Sequence, residues 1–350
     1  MKNIFKKLID LNDKEKILIC EISGNHSNSF SHLKKLIMQA INQKVDLVKF
    51  QVYTPHSLTI NSNQKDFMIK EGKWSKQRTL FRLFEKSYTP WIWIEKLVKI
   101  LEKNKINWFA SAFDKNSVDF LEKINCKAYK IASPEITDIN LIEYLAQKKK
   151  PIVFSTGMSK TEDINLALNT VKKYHNKFAI LKCISKYPAS YKDLNLSSIR
   201  TLKKRYKCVI GFSDHTIDEL SSILAITQGA KIIEKHFKLD NDNNSSDSHF
   251  SMPISNYKHL KKKIASVDLC MGDKNQIFTV SKKLMKDRRS LYITENVQKG
   301  DMANYKNIRS IRPGYGVHPK YLKKLIGKKF KKELKKGTAL KLNHLIRLLK

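Results

Sequence analysis

Eight short apolar runs in the first 240 residues each turn polar at their C-terminal end. They read ILICEISGNH (17–26), DLVKFQVY (46–53), INWFASAFD (106–114), KAYKIASPE (127–135), PIVFSTGMS (151–159), FAILKCISKYP (178–188), CVIGFSDHT (208–216) and KIIEKHF (231–237). Repeated eight times with helix-length spacers, this pattern predicts an α/β fold, a (β/α)8 TIM barrel whose polar strand ends converge on one face as an active site. The spacers at 31–43, 90–104, 140–148 and 162–175 read as helices.

A chain of 350 residues exceeds the roughly 250 of a typical barrel, so a second small domain is expected. The texture changes after the eighth run. Residues 240–251 form a polar loop, and 256–270 read as a helix with apolar Tyr257, Leu260, Ile264 and Val267. Residues 271–287 look like a linker carrying a short helix. From Arg288 onward the pattern becomes short strands and turns, with V-x-K-G-D and L-K-K-G-T as tight turns in which Gly300 and Gly337 supply backbone freedom. The expected boundaries are a barrel at 1–270, a linker at 271–287 and a compact domain at 288–350.

An apolar fraction of 41% supports a packed core. No run reaches the roughly 18 apolar residues of a membrane span, and MKNIFKKLID lacks the apolar stretch of a signal peptide. No membrane association is therefore expected, and the five cysteines, widely spaced with no C-x-x-C, predict a reduced, cytoplasmic setting. The formal net charge of +36 raises a nucleic-acid-binding reading. Against it, 59 of the 68 basic residues are lysine, spread over helix faces rather than gathered into a stripe with aromatics. A lysine-biased composition explains the charge without a nucleic-acid partner, and the positive field favours a small anionic substrate.

His215 and His236 close the seventh and eighth runs, so barrel geometry sets them side by side, where two imidazoles suit a divalent cation with open positions. Lys49, Lys130, Ser133, Ser155 and Ser213 also lie at strand ends, a set suited to phosphate or carboxylate. Lys49 and Lys130 interrupt apolar runs, which a solvated surface charge explains poorly. Glu21, Glu135 and Asp247 supply carboxylates that can carry protons, accept from hydroxyls or pair with lysine. Asp214, beside His215, has the alternative of capping a helix.

EISGNH, VKFQ, YKIASPE, STGMS, the YP of KCISKYP, GFSDHT and IEKHF resemble, in order, the barrel signatures of the sialic acid synthase family. RRSLY and RPGYG resemble its C-terminal antifreeze-like (SAF) domain. YTPW (88–91), 129–146 and 308–322 most resemble the family's pseudaminic acid branch. The resemblance implies a transferase that condenses phosphoenolpyruvate with an acetamido sugar aldehyde, releasing phosphate. In the pseudaminic acid branch that sugar is 2,4-diacetamido-2,4,6-trideoxy-L-altrose; N-acetylneuraminate and legionaminic acid synthesis are the neighbouring alternatives.

By the same resemblance, Lys49, Ser111, Lys130, Ser133, Ser155, Ser185 and Ser213 hold phosphoenolpyruvate. His215 and His236 hold Mn2+ or Mg2+. Gln51, Glu135, Tyr187 and Asp247 touch the sugar, and Glu21 lies near the reacting carbons. Arg312 reaches the sugar site of the partner in a domain-swapped homodimer. The chain departs from the family pattern at Ala112 (usually proline), at Ser185 (asparagine in some members) and at His249 (commonly small). A metal-dependent barrel hydrolase is a more distant enzyme reading that leaves Lys49 and Lys130 without a role.

Overall fold

The structure is a computed structural model that describes residues 4–12, 15–273, 275 and 281–346. Eight parallel strands close on themselves: β1 (Ile17–Glu21), β2 (Leu47–Val52), β3 (Asn107–Ala112), β4 (Tyr129–Ile131), β5 (Ile152–Ser155), β6 (Phe178–Cys183), β7 (Val209–Asp214) and β8 (Ile232–Lys238). Each pairs with the next in order, and β1 also pairs with β8. The circuit is the predicted (β/α)8 barrel. Its strands are buried along nearly their whole length, because one face lines the barrel and the other meets helices.

Helices fill the spacers. The main ones are α1 (Phe30–Asn42), α2 (Leu80–Ser87), α3 (Trp91–Lys103), α4 (Lys115–Lys123), α5 (Ile139–Gln147), α6 (Thr161–Lys172), α7 (Ser198–Tyr206), α8 (Leu220–Thr227) and α9 (Tyr257–Met271). Local chemistry sets several starts: Ser29, Thr79, Asp114 and Asp138 each accept a backbone N–H from the first helical turn. Apolar residues at helical spacing, such as Leu33, Leu36, Ile37 and Ala40 of α1, face the strands. Lys44, Lys105, Asn125 and Lys149, each just beyond a helix, adopt left-handed backbone where glycine is the usual residue.

The chain divides into two compact units, Met1–Met271 and Gly272–Lys350. In the second, β9 (Ser290–Ile293) and β10 (Ile308–Ile311) pair antiparallel. Isolated bridges such as Val297 to Leu334 and Phe330 to Leu345 extend the pairing around a core that includes Leu291, Ile308, Phe330 and Leu340. Gly300 and Gly337 both have positive φ, as their turns require. The sequence suggested more continuous strand here than forms. Much of the predicted linker (274 and 276–280) and the last four residues lie outside the described residues.

Candidate active site

Strand register brings the polar strand ends together. Glu21 pairs with Lys49 and, on its other side, with His236; Ser111 lies between Gln51 and Lys130; Ser213 lies between Cys183 and Glu234. Inside the barrel mouth this produces a charged cluster almost sealed from water. The Lys49 ammonium sits 2.7 Å from Glu21 and 3.6 Å from Glu234, and donates to the Ser111 hydroxyl at 3.1 Å. Lys130 donates to Ser155 at 2.6 Å and lies 3.7 Å from Glu234, which also accepts from Ser213 at 3.0 Å.

Burial and neighbours decide the protonation of this cluster. Lys49 loses hydration, but Glu21 and Glu234 outweigh that loss and hold its proton more firmly than usual. Lys130 is buried too and has Lys49 as a like-charged neighbour, so its proton is held less firmly. Burial opposes ionisation of both carboxylates. Glu234 meets both lysines and the Ser213 hydroxyl and is held ionised. Glu21 has chiefly Lys49 against its burial and the charge of Glu234, so its carboxyl is pushed upward.

A cradle of hydroxyls adjoins the lysines. The backbone N–H of Gly157 donates to Ser133 at 2.9 Å, and a β-carbon added at Gly157 would lie 2.3 Å from the Ser185 hydroxyl. That hydroxyl is buried and has no partner among the described residues. Only glycine leaves room for this approach. Ser133, Ser155, Ser185, Lys130 and the Gly157 amide thus line one recess suited to an oxyanion.

The two histidines are adjacent, with ring centroids 5.2 Å apart. His215 Nδ1 donates to the Ile184 carbonyl at 2.8 Å, so Nε2 is the nitrogen a cation would take; against its burial, Cys183 strengthens the ring's hold on a proton that such a cation would displace. His236 is buried among positive neighbours, which keeps its ring neutral, and its Nδ1 has no partner among the described residues. Among the described residues no cluster of three or more His, Cys, Asp and Glu side chains suits a metal. The donor set is therefore two imidazoles, which fits a cation that takes its other ligands from water and substrate.

Beside the histidines opens a cavity of about 350 Å³ that reaches Gln51, Glu135, Tyr187, His236 and Asp247. Gln51 donates to Glu21 at 3.1 Å, and Asp247 accepts from Ser23 and from the Gly24 N–H. Burial pushes the Glu135 carboxyl up to about 7, and its Oε2 has no partner among the described residues. The Tyr187 ring lies tilted against that of His215 with centroids 4.3 Å apart, and Phe250 packs 4.8 Å from His236. Asp214 does not cap α8. It accepts from Thr216, Ser221, Ser222 and Lys235, bracing the turn that carries His215. His249, the departure from the family pattern, contacts the Tyr187 carbonyl at 3.2 Å.

Fourteen of the candidate residues thus occupy one mouth. Arg312 belongs to the second unit, where it is exposed just beyond β10. Glu234, Ser23, Gly157 and Phe250 complete the mouth without having been singled out from sequence. Glu234 had a legible signal: it lies two residues before His236 on one strand, and side chains two apart share a face.

Residues 36–276 match the NeuB family, and 288–346 match the SAF domain. The chain belongs to the NeuB family. Among NeuB-family relatives, a pseudaminic acid synthase of Campylobacter jejuni is 38% identical over 94% of this chain and 96% of its own length. One of Helicobacter pylori is 35% identical over 92% and 96%. A solved N-acetylneuraminic acid synthetase of Leptospira borgpetersenii, in complex with citrate, has a TM-score of 0.68 at 27% identity, covering 77% of this chain and 90% of that one. This NeuB-family chain is thereby placed among the nonulosonic acid synthases, enzymes that form carbon–carbon bonds.

Proposed function

We propose that the protein is a pseudaminic acid synthase. It joins phosphoenolpyruvate to 2,4-diacetamido-2,4,6-trideoxy-L-altrose and water, giving pseudaminic acid and phosphate. The observation that carries the reading is the pair of buried lysines, Lys49 and Lys130, set against the Ser133, Ser155 and Ser185 hydroxyls at the barrel mouth. Two ammonium groups and three hydroxyls gathered at one mouth suit a phosphorylated carboxylate, which would take over the contacts the lysines now make with Glu21 and Glu234. Two relatives of that name at 35–38% identity support the choice of sugar.

In this reading Lys49, Lys130 and the hydroxyls of Ser111, Ser133, Ser155, Ser185 and Ser213 neutralise the phosphate and carboxylate of phosphoenolpyruvate. His215 and His236 hold a divalent cation, Mn2+ or Mg2+, which when bound supplies Lewis-acid polarisation of the sugar aldehyde. Gln51, Tyr187 and Asp247 orient the open-chain sugar so that its C1 faces C3 of phosphoenolpyruvate. The new bond turns the aldehyde oxygen into a hydroxyl, and Glu135, with its carboxyl near 7, delivers that proton. Water adds at C2 and passes a proton to the ionised Glu234, beside Glu21. Phosphate then leaves by cleavage of its C2–O bond as the C2 hydroxyl becomes the ketone, the hydroxyl proton going to the departing phosphate.

Arg312 serves the partner's sugar site in a domain-swapped homodimer, and the free cysteines suit a cytoplasmic enzyme. The test is phosphate release from phosphoenolpyruvate with a panel of acetamido sugars, with products identified by mass and NMR. Release with the trideoxy sugar is expected. Release with N-acetylmannosamine alone would move the assignment to N-acetylneuraminate synthesis, the activity named for the Leptospira protein. No release with any sugar would overturn it.

A further inference from the structure

The cavity beside the histidines is two-sided. Its polar lining includes Gln51, Glu135, His236 and Asp247; its apolar lining includes one group, here called the roof, of Ile69, Trp74, Leu80, Leu83 and Phe84. These five residues come from one stretch, the long connection between β2 and α3, while Phe113, Pro134, Met158 and Phe250 add apolar lining from other connections. That stretch folds back on itself: the Ile69 N–H donates to the Arg78 carbonyl at 2.8 Å, and Thr79 caps α2. Trp74 fastens it across the mouth. Its indole N–H donates to the Ser246 carbonyl at 2.8 Å, and its ring lies 5.3 Å from Tyr187 and 5.7 Å from His249. The loops carrying Tyr187 and Asp247 are therefore both tied to the roof.

One polar atom at the roof's edge is unanswered. Ser87 lines the cavity, and its hydroxyl is buried with no partner among the described residues. The Ser87 carbonyl is held by His26 at 3.0 Å, and its β-carbon and Asp247 Oδ2 both lie 3.3 Å from where a β-carbon on Gly24 would stand. A buried hydroxyl beside an apolar wall suits an amide bearing a methyl group. The hydroxyl pairs with the amide and the wall covers the methyl.

We propose that this roof is the element that selects the sugar. Trp74, Leu80, Leu83 and Phe84 take the methyl groups of a deoxy, acetamido-substituted sugar, and Ser87 hydrogen-bonds one acetamido amide. The assignment rests on the synthase reading above and adds where the choice of sugar is made. A sugar with hydroxyls in place of the second acetamido group and the deoxy position leaves the roof uncovered and its own hydroxyls without partners.

The test compares kcat/KM for 2,4-diacetamido-2,4,6-trideoxy-L-altrose and for N-acetylmannosamine in the wild type, Trp74→Ala, Leu80→Asn and Ser87→Ala, with phosphoenolpyruvate affinity measured by calorimetry. The ratio favouring the trideoxy sugar is expected to fall about tenfold to a hundredfold in Trp74→Ala and Leu80→Asn, the scale at which apolar pockets discriminate methyl groups. In Ser87→Ala it falls about three- to tenfold, the worth of one hydrogen bond. Phosphoenolpyruvate affinity stays unchanged. Should Trp74→Ala lose that affinity, its fold is disturbed and the Leu80→Asn ratio decides. Equal losses for both sugars, or none, overturn the roof as the selecting element while leaving the synthase reading intact. A wild type that releases no phosphate with any sugar overturns the synthase reading, and this assignment falls with it.

Discussion

Replacing Glu135 with glutamine isolates the cost of a buried, unpaired carboxyl. Glu135 lies in the single turn after β4, lines the cavity, and leaves Oε2 without a partner among the described residues. Burial is the largest influence on it and raises its carboxyl from 4.5 to about 7. The folded protein therefore binds this proton more tightly than the unfolded chain does. The resulting stability is complete below the unfolded value, is lost as pH rises from 4.5 toward 7, and is absent above 7. At about 1.4 kcal/mol per pH unit the loss reaches at most about 3 kcal/mol, less to the extent that water reaches the group. Glutamine cannot ionise. In urea titrations, Glu135→Gln is expected to gain stability over wild type progressively between about pH 4.5 and about pH 7 and to hold that gain above it. The fall of wild-type kcat/KM above neutrality, assigned to loss of the acid, should disappear in the variant at a lower rate. A stability difference that stays constant across that pH range would refute the buried, raised carboxyl.

Lys130→Met should weaken phosphoenolpyruvate binding by about 2–5 kcal/mol, the scale for removing one member of a buried charged pair; unchanged calorimetric affinity would count against the assignment. Gly157→Ala should weaken phosphoenolpyruvate binding with little change in the KM for sugar, because the methyl would lie 2.3 Å from the Ser185 hydroxyl and 2.9 Å from that of Ser133; equal effects on both substrates would place the recess elsewhere. His236→Ala should abolish stoichiometric Mn2+ binding, read by electron paramagnetic resonance, without lowering the melting temperature; retained binding would remove the pair as ligands. Mixing Arg312→Ala chains with His236→Ala chains should restore part of the activity if Arg312 acts across a dimer, whereas no recovery after verified subunit exchange would confine it to its own chain.

The barrel was legible because each strand is apolar on both faces and each spacer carries helical spacing with a cap. Lys49 and Lys130 stood out for a related reason: a lysine inside an apolar strand has no cheap explanation. Glu234 was harder to see. KIIEKHF places it beside Lys235, and the two look alike in sequence as an exposed ion pair. Strand alternation separates them: Glu234 turns into the barrel toward Lys49 and Lys130, while Lys235 turns outward to Asp214. The roof was illegible for a different reason. Ile69, Trp74, Leu80 and Phe84 lie in a connection with little regular periodicity, and only its folding over the mouth gives them a common face. Ser87 carries no sequence signal, because a lone serine near the end of a helix is ordinary.

The charge inside the mouth explains how a site built from two carboxylates can receive an anion. Lys49 and Lys130 are balanced by Glu21 and Glu234 within 3.7 Å, so the pocket is near neutral despite the surface excess of lysine. A phosphate and a carboxylate brought into that pocket would compete with both glutamates for the same ammonium groups. Glu21 is the partner prepared to yield. Its burial already favours the protonated form, opposed mainly by Lys49, and turning Lys49 toward the substrate removes that opposition. Glu234 keeps its charge through Lys130 and Ser213, while Glu21 is the more readily protonated of the two. Two glutamates of the same type, one strand apart in the closed barrel, are thus separated in their roles by the number of lysines each one meets.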